Sequence, residues 1–136
     1  MDQKSLLNNY MEKYLGIDWG EKRIGLATAE EELNMALPLG TVADIAGILQ
    51  TIEEEEITKI VLGRPYQMAS LEHDISPDFL KFVTQLESQT KLQIIQVDER
   101  LSSLAADAMG GPKKMRAGRD EIAAALILQS YLDQPK

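Results

Sequence analysis

Four carboxylates draw notice through their positions in the chain. Asp18 interrupts the apolar run Tyr14-Leu15-Gly16-Ile17-Asp18-Trp19, where an ionised group is costly unless it lies at an exposed rim, is paired, or binds a cation. Asp98 and Glu99 follow directly on a second apolar run, Leu92-Gln93-Ile94-Ile95-Gln96-Val97, and Asp120 begins an alanine-rich final segment. If folding gathers these groups, three or four negative charges share one site and stay ionised together only with a cation between them. An oxygen-only donor set favours Mg²⁺ or Mn²⁺ over zinc. That chemistry suits phosphodiester hydrolysis, in which one metal activates water and a second stabilises the leaving oxygen of an in-line displacement. Plainer roles are open at each position: Asp18 paired with Lys22 or Arg100, Asp98 paired with Arg100, and Asp120 as a helix N-cap.

Other reaction classes lack their residues. The chain has no cysteine, so disulfides, thiolate nucleophiles and zinc-thiolate sites are all excluded, and His73 is its only histidine. His73 sits in a polar stretch before Ser76-Pro77 and reads as an exposed loop residue rather than a catalytic base. The formal net charge of -8 argues against bulk attraction to nucleic acid. Charge is unevenly spread, however: Lys113, Lys114, Arg116 and Arg119 fall within seven residues, while Glu53 to Glu56 are consecutive acids. The basic group is either a phosphate-gripping patch or a solvated loop.

The elements that must position the carboxylates follow from periodicity and punctuation. Tyr14 to Trp19 and Arg23 to Thr28 read as strands of a hairpin, with Gly20 in the tight connection. Ala36 to Val42, interrupted by Pro38, suits an edge strand, where a missing donor is tolerated. From Asp44, a potential cap, Ile45, Ile48, Leu49 and Ile52 recur at helical spacing, and the acidic run 53–56 is the solvated end of that helix. Ile60 to Leu62 form a short buried strand ended by Gly63. Ser76-Pro77 then opens a second helix with Phe79, Phe82, Val83 and Leu86 on one face. Leu92 to Val97 form another strand, Ser102 to Met109 a short helix broken at Gly110-Gly111-Pro112, and Arg119 to Leu132 a closing helix apolar on most sides. This order implies a mixed five-stranded sheet flanked by helices, an α/β fold in which ligands gather at the carboxyl ends of the parallel strands. Asp18, Gly63-Arg64-Pro65 and Asp98-Glu99 all fall at such ends.

At 136 residues the chain forms one domain around one core, 1–136, with 1–13 a polar N-terminal extension that has a short helical stretch near Leu6 to Met11. No apolar run approaches the roughly 18 to 20 residues of a membrane span, and the N-terminus lacks a signal-peptide pattern. A cytoplasmic protein without membrane association is expected.

Four ordered blocks resemble the YqgF family, also called RuvX, of bacterial Holliday-junction resolvases and pre-16S rRNA nucleases. They are Leu15 to Ala27, Val61 to Pro65, Val97 to Ser103 and Asp120 to Leu132, and together they span the chain from about Tyr14 onward. The resemblance implies an RNase H-like fold and a metal-dependent nuclease. It carries the family's acidic positions onto Asp18, the Asp98-Glu99 pair and Asp120, with Glu99 favoured as the metal ligand within the pair. Asp18, Glu99 and Asp120 are therefore the expected catalytic set, and Asp18, Asp98, Glu99 and Asp120 the candidate ligands of Mg²⁺ or Mn²⁺. Lys22 and Arg100 are the leading phosphate contacts, joined by Arg23, Arg64, Lys113, Lys114, Arg116 and Arg119; arginine's planar fork matches phosphate oxygens. The chain departs from the family pattern at Arg64, usually aliphatic, at Met68-Ala69-Ser70 in place of a glycine-containing loop, at Trp19 in place of Tyr or Phe, and in a shorter connection before Asp120. These departures bear on substrate choice more than on metal binding.

Three functions compete on this reading. A nuclease would trim the 5′ end of pre-16S rRNA or, alternatively, resolve four-way DNA junctions. The latter calls for a symmetric dimer, against an expected monomer or weak homodimer. A nucleotide clamp of the actin, Hsp70 and sugar-kinase type shares an Asp-x-Gly strand but needs two duplicated domains. A non-catalytic RNA- or protein-binding module would fit the acidic charge and the shortened connection.

Overall fold

The computed structural model describes residues 11–65, 76–98 and 119–135. Its strands are β1 (Lys13–Asp18), β2 (Ile24–Glu30), β3 (Leu37–Val42), β4 (Lys59–Arg64) and β5 (Gln93–Asp98), and its helices are α1 (Ile45–Glu54), α2 (Pro77–Gln89) and α3 (Arg119–Leu132). The strands form one sheet in the order β3-β2-β1-β4-β5. β1 runs antiparallel to β2 and parallel to β4, which runs parallel to β5. This is the mixed five-stranded α/β arrangement expected from the sequence.

Both faces of the sheet are covered, which is why β1 and β4 each bury four consecutive residues instead of alternating. Leu15, Ile17, Ile60 and Leu62 pack on one face with Ile48 of α1 and with Phe79, Phe82, Val83 and Leu86 of α2. Tyr14, Val61 and Val97 pack on the other face with Ala124, Ile127 and Leu128 of α3. The helix starts are capped as their sequences require. Asp44 Oδ1 accepts from the Gly47 N–H at 3.1 Å, and Ser76 Oγ accepts from the Asp78 N–H at 3.2 Å with Pro77 at the first helical position. At its far end α1 closes with paired bonds, Ile57 N–H to the Ile52 carbonyl and Glu56 N–H to the Glu53 carbonyl, which require the left-handed φ of 55° at Glu56. The acidic run is thus more than a solvated tail: Glu56 takes a position that glycine usually fills.

Two strand ends differ from expectation. β4 continues through Gly63 to Arg64, because Gly63 pairs with Val97 and Arg64 with Asp98 on a neighbour that continues alongside. β2 runs on to Glu30, where it pairs with Lys13. β3 is the expected edge strand, and its register slips opposite Leu26 and Ala27. Gln129 of α3 anchors the loop before β3, accepting from the Ala36 N–H at 2.9 Å and donating to the Asn34 carbonyl at 3.3 Å. The short helices expected near 6–11 and 102–109 fall largely or wholly outside the described residues, and Met11 itself is not helical. Among the described residues no helix is long and apolar enough to cross a membrane.

α3 lies unusually close to the sheet. A Cβ at Gly16 would sit 2.8 Å from Leu128 Cβ and 2.9 Å from the Ala124 carbonyl oxygen, and one at Gly25 would overlap the backbone carbonyl of Asp120. Replacement Gly25→Ala is therefore expected to lower stability by about 1–3 kcal/mol, read as a lower urea midpoint with an unchanged m-value; a wild-type midpoint would refute the contact. Burial, assisted by the charges of Tyr131, Glu31 and Glu12, holds the Tyr14 hydroxyl above the usual tyrosine value of 10.0. Folding favours the neutral phenol, so this contribution is complete below the unfolded tyrosine pKa and is lost as pH rises through the higher folded one. Denaturant titrations from pH 9 upward should show a fall in stability that Tyr14→Phe reduces.

Candidate active site

Strand pleat decides which side of the sheet each carboxylate can serve. On β1, Tyr14 belongs to the α3-side core and Gly16 lies against Leu128, so Asp18, two residues further, is presented to the α3 side at the carboxyl end of the strand. Asp18 stands opposite Gly25 in the β1–β2 register. A cross-strand pair of this kind places the Cα atoms about 4.5–5.5 Å apart. Gly25 is in turn the residue on which the Asp120 carbonyl rests. Asp18 and Asp120, 102 positions apart in the chain, are therefore neighbours through a single glycine.

Asp120 is not the cap of α3. The helix begins at Arg119, which puts Asp120 and Glu121 in its first turn, where the helix dipole favours negative charge. One carboxylate oxygen of Asp120, Oδ2, is 3.2 Å from Nε of Arg23, with side-chain exposures of 35% and 71%. At that exposure the pair contributes roughly 0–1 kcal/mol to stability, so its weight is in orienting the carboxylate. From the sequence Arg23 reads only as a phosphate contact, because a pairing between residues so far apart leaves no local signal. Lys22 is exposed in the connection beside it, and Arg119 is exposed at the start of α3.

The structure separates Asp98 from this pair. Ile95 and Val97 of β5 face α3, whereas Ile94 packs towards α1 and α2. Alternation assigns Asp98 to the Ile94 side, level with Arg64 in the β4–β5 register. Glu99 lies outside the described residues, as do His73, Arg100, Lys113, Lys114 and Arg116. Among the described residues no three His, Cys, Asp or Glu side chains form a group able to hold a metal ion. Asp18 and Asp120 supply two sets of carboxylate oxygens, the donor type that Mg²⁺ and Mn²⁺ take. A third ligand would have to come from elsewhere in the chain.

Trp19, which the sequence marks only as a departure from the family pattern, is a structural anchor. Its ring lies 5.8 Å from that of Phe79 at an interplanar angle of 66°, and 6.1 Å from that of Phe82 at 36°. The residue after Asp18 is thus fastened to α2, on the opposite side of the sheet from Asp120.

Comparison with known proteins matches this arrangement to one family. The profile described as RuvX, Holliday junction resolvase, matches residues 12–134. A Chlamydia abortus protein assigned as a pre-16S rRNA nuclease is 37% identical, across 88% of this chain and 89% of its own. A Rickettsia bellii protein with the same assignment is 32% identical, across 94% and 96%. Among solved structures, Thermus thermophilus RuvC in complex with a Holliday junction substrate superposes with a TM-score of 0.56 at 14% identity, covering 89% of this chain and 93% of that one. The Fowlpox virus Holliday junction resolvase gives a TM-score of 0.52 at 10% identity, with coverage of 89% and 97%. At such identities these two speak for the fold, which is RNase H-like, while the profile and the closer relatives establish that the chain belongs to the RuvX family.

Proposed function

We propose that this protein is a metal-dependent nuclease that hydrolyses nucleic-acid phosphodiester bonds, with the 5′ end of pre-16S rRNA as its substrate. The observation that carries the reading is the adjacency of Asp18 and Asp120 across Gly25. Asp18 at the carboxyl end of β1 and Asp120 in the first turn of α3 meet at the kind of rim where α/β folds place their chemistry. Relatives covering nearly the whole chain are assigned to the same RNA substrate.

Asp18, Glu99 and Asp120 would hold Mg²⁺ or Mn²⁺; the place of Asp98 on the Ile94 side of β5, away from α3, favours Glu99 over it as the third ligand. When bound, the divalent ion supplies Lewis acidity and a water of lowered pKa. The protein's own part is positional. Arg23 fixes the Asp120 carboxylate through Oδ2. Lys22, exposed in the same connection, is placed to meet a phosphate near the rim, with Arg100 and the basic residues 113–119 as further phosphate contacts.

The family description and the RuvC-like fold favour a second reading, cleavage of four-way DNA junctions. That activity needs two matched cuts and therefore a symmetric dimer. Incubating the protein with labelled pre-16S rRNA and with a four-way DNA junction, in Mg²⁺ or Mn²⁺, separates the two. RNA cleavage at the mature 5′ end supports the first reading and paired cuts in the junction the second, while cleavage of neither, at any metal concentration, leaves a binding module. Asp18→Asn, Glu99→Gln and Asp120→Asn are each expected to lower the cleavage rate at least a hundredfold while the circular dichroism spectrum stays native, whereas Asp98→Asn should cost less than tenfold. Equal losses at 98 and 99 would refute the assignment of faces.

A further inference from the structure

The rim of the sheet has a second side. Ile17 of β1 pairs with Leu62 of β4, and both belong to the core beneath α1 and α2. Two residues further on stand Arg64, the last residue of β4, and Trp19, one residue past the end of β1, so continuing the β1–β4 register would set them beside each other. Trp19 packs on that core, and its ring is half-buried, held against Phe79 and Phe82. Arg64 is half-buried as well, and the ion pairs among the described residues, Lys13–Glu55, Arg23–Asp120 and Lys59–Glu12, do not include it. A chain of net charge -8 thus keeps a guanidinium at its rim outside these ion pairs, beside an aromatic ring whose orientation two phenylalanines fix.

We propose that Trp19 and Arg64 form a nucleotide platform for the single-stranded part of the substrate, Trp19 stacking on one base and Arg64 taking the phosphate beside it. The proposal rests on the nuclease reading for the identity of the strand. It assigns these residues to positioning, since Asp18 immediately precedes Trp19 and the pleat turns the two side chains to opposite sides of β1. A strand crossing the rim would meet the platform on the α2 side and the carboxylates on the α3 side. The chemistry is that of sequence-tolerant single-strand binding, a ring face for any base and a planar cation for the backbone.

Trp19 is the protein's only tryptophan, so its fluorescence reports this site alone. The full chain carrying Asp120→Asn, which keeps the bound strand uncut, would be titrated with an eight-nucleotide single-stranded RNA and its DNA counterpart. The wild-type protein in a metal chelator serves as a second sample. Quenching is expected on binding, and moving a single abasic site along the oligonucleotide should abolish it at one position only. Arg64→Gln should weaken binding about tenfold, followed by anisotropy of a labelled strand, and reduce the slope of log K against log salt by roughly 0.7, the increment for one single-strand phosphate. Trp19→Phe, which keeps a ring against Phe79 and Phe82, should weaken binding severalfold without shifting the urea midpoint by more than Leu80→Ala, an exposed control. Unquenched fluorescence on saturation, or Arg64→Gln binding with wild-type affinity and salt slope, overturns the platform. Persisting RNA cleavage in that case leaves the nuclease reading standing, whereas quenching without cleavage by the wild-type protein in Mg²⁺ upholds the platform and removes the nuclease.

Discussion

The contact on which the site depends is backbone against backbone, α3 lying on β1 and β2 at Gly16 and Gly25. Helices normally ride on a sheet at a distance set by the side chains between them. Here two glycines remove that spacer at two points along one helix. Leu128 settles over Gly16 and the first turn of α3 over Gly25, which fixes the helix in height and along its axis together. Asp120 therefore has little freedom relative to Asp18.

The sheet divides its rim into two chemical sides. The α3 side gathers carboxylates, and the low-dielectric core of Tyr14, Val61, Val97, Ile127 and Leu128 lies beneath them. The α2 side offers Trp19 and Arg64, with Asp98 in register beside Arg64. Strand pleat alone produces this division, since consecutive residues at a strand end face opposite ways. Lys22 and Arg64 lie at this rim in a chain whose net charge of -8 opposes nucleic acid at long range, and Arg23 there is engaged by Asp120.

Much of this was legible in the residues because local signals carried it. Helical spacing and caps located α1 and α2, and the alanine-rich segment marked α3 at both of its ends. Strand order was harder, and the continuation of β4 beyond Gly63 was missed because a neighbouring strand, invisible to a local reading, keeps the ladder going. The four carboxylates could be singled out but not sorted. That Asp98 turns from Asp18 depends on which core β5 joins, and the pairing of Arg23 with Asp120 depends on where α3 docks. Gly16 and Gly25 were visible within the first block, yet the helix that needs them lies a hundred residues away.

That distance has a consequence for when the site exists. Half of the adjacent pair rides on the last helix, and no other described element can substitute for it. Asp18 is laid down with β1, whereas Asp120 arrives only with α3, 102 positions further along the chain. Docking of α3 on Gly16 and Gly25 is the event that brings the two carboxylates together. Lifting this helix off its two glycines would part the pair.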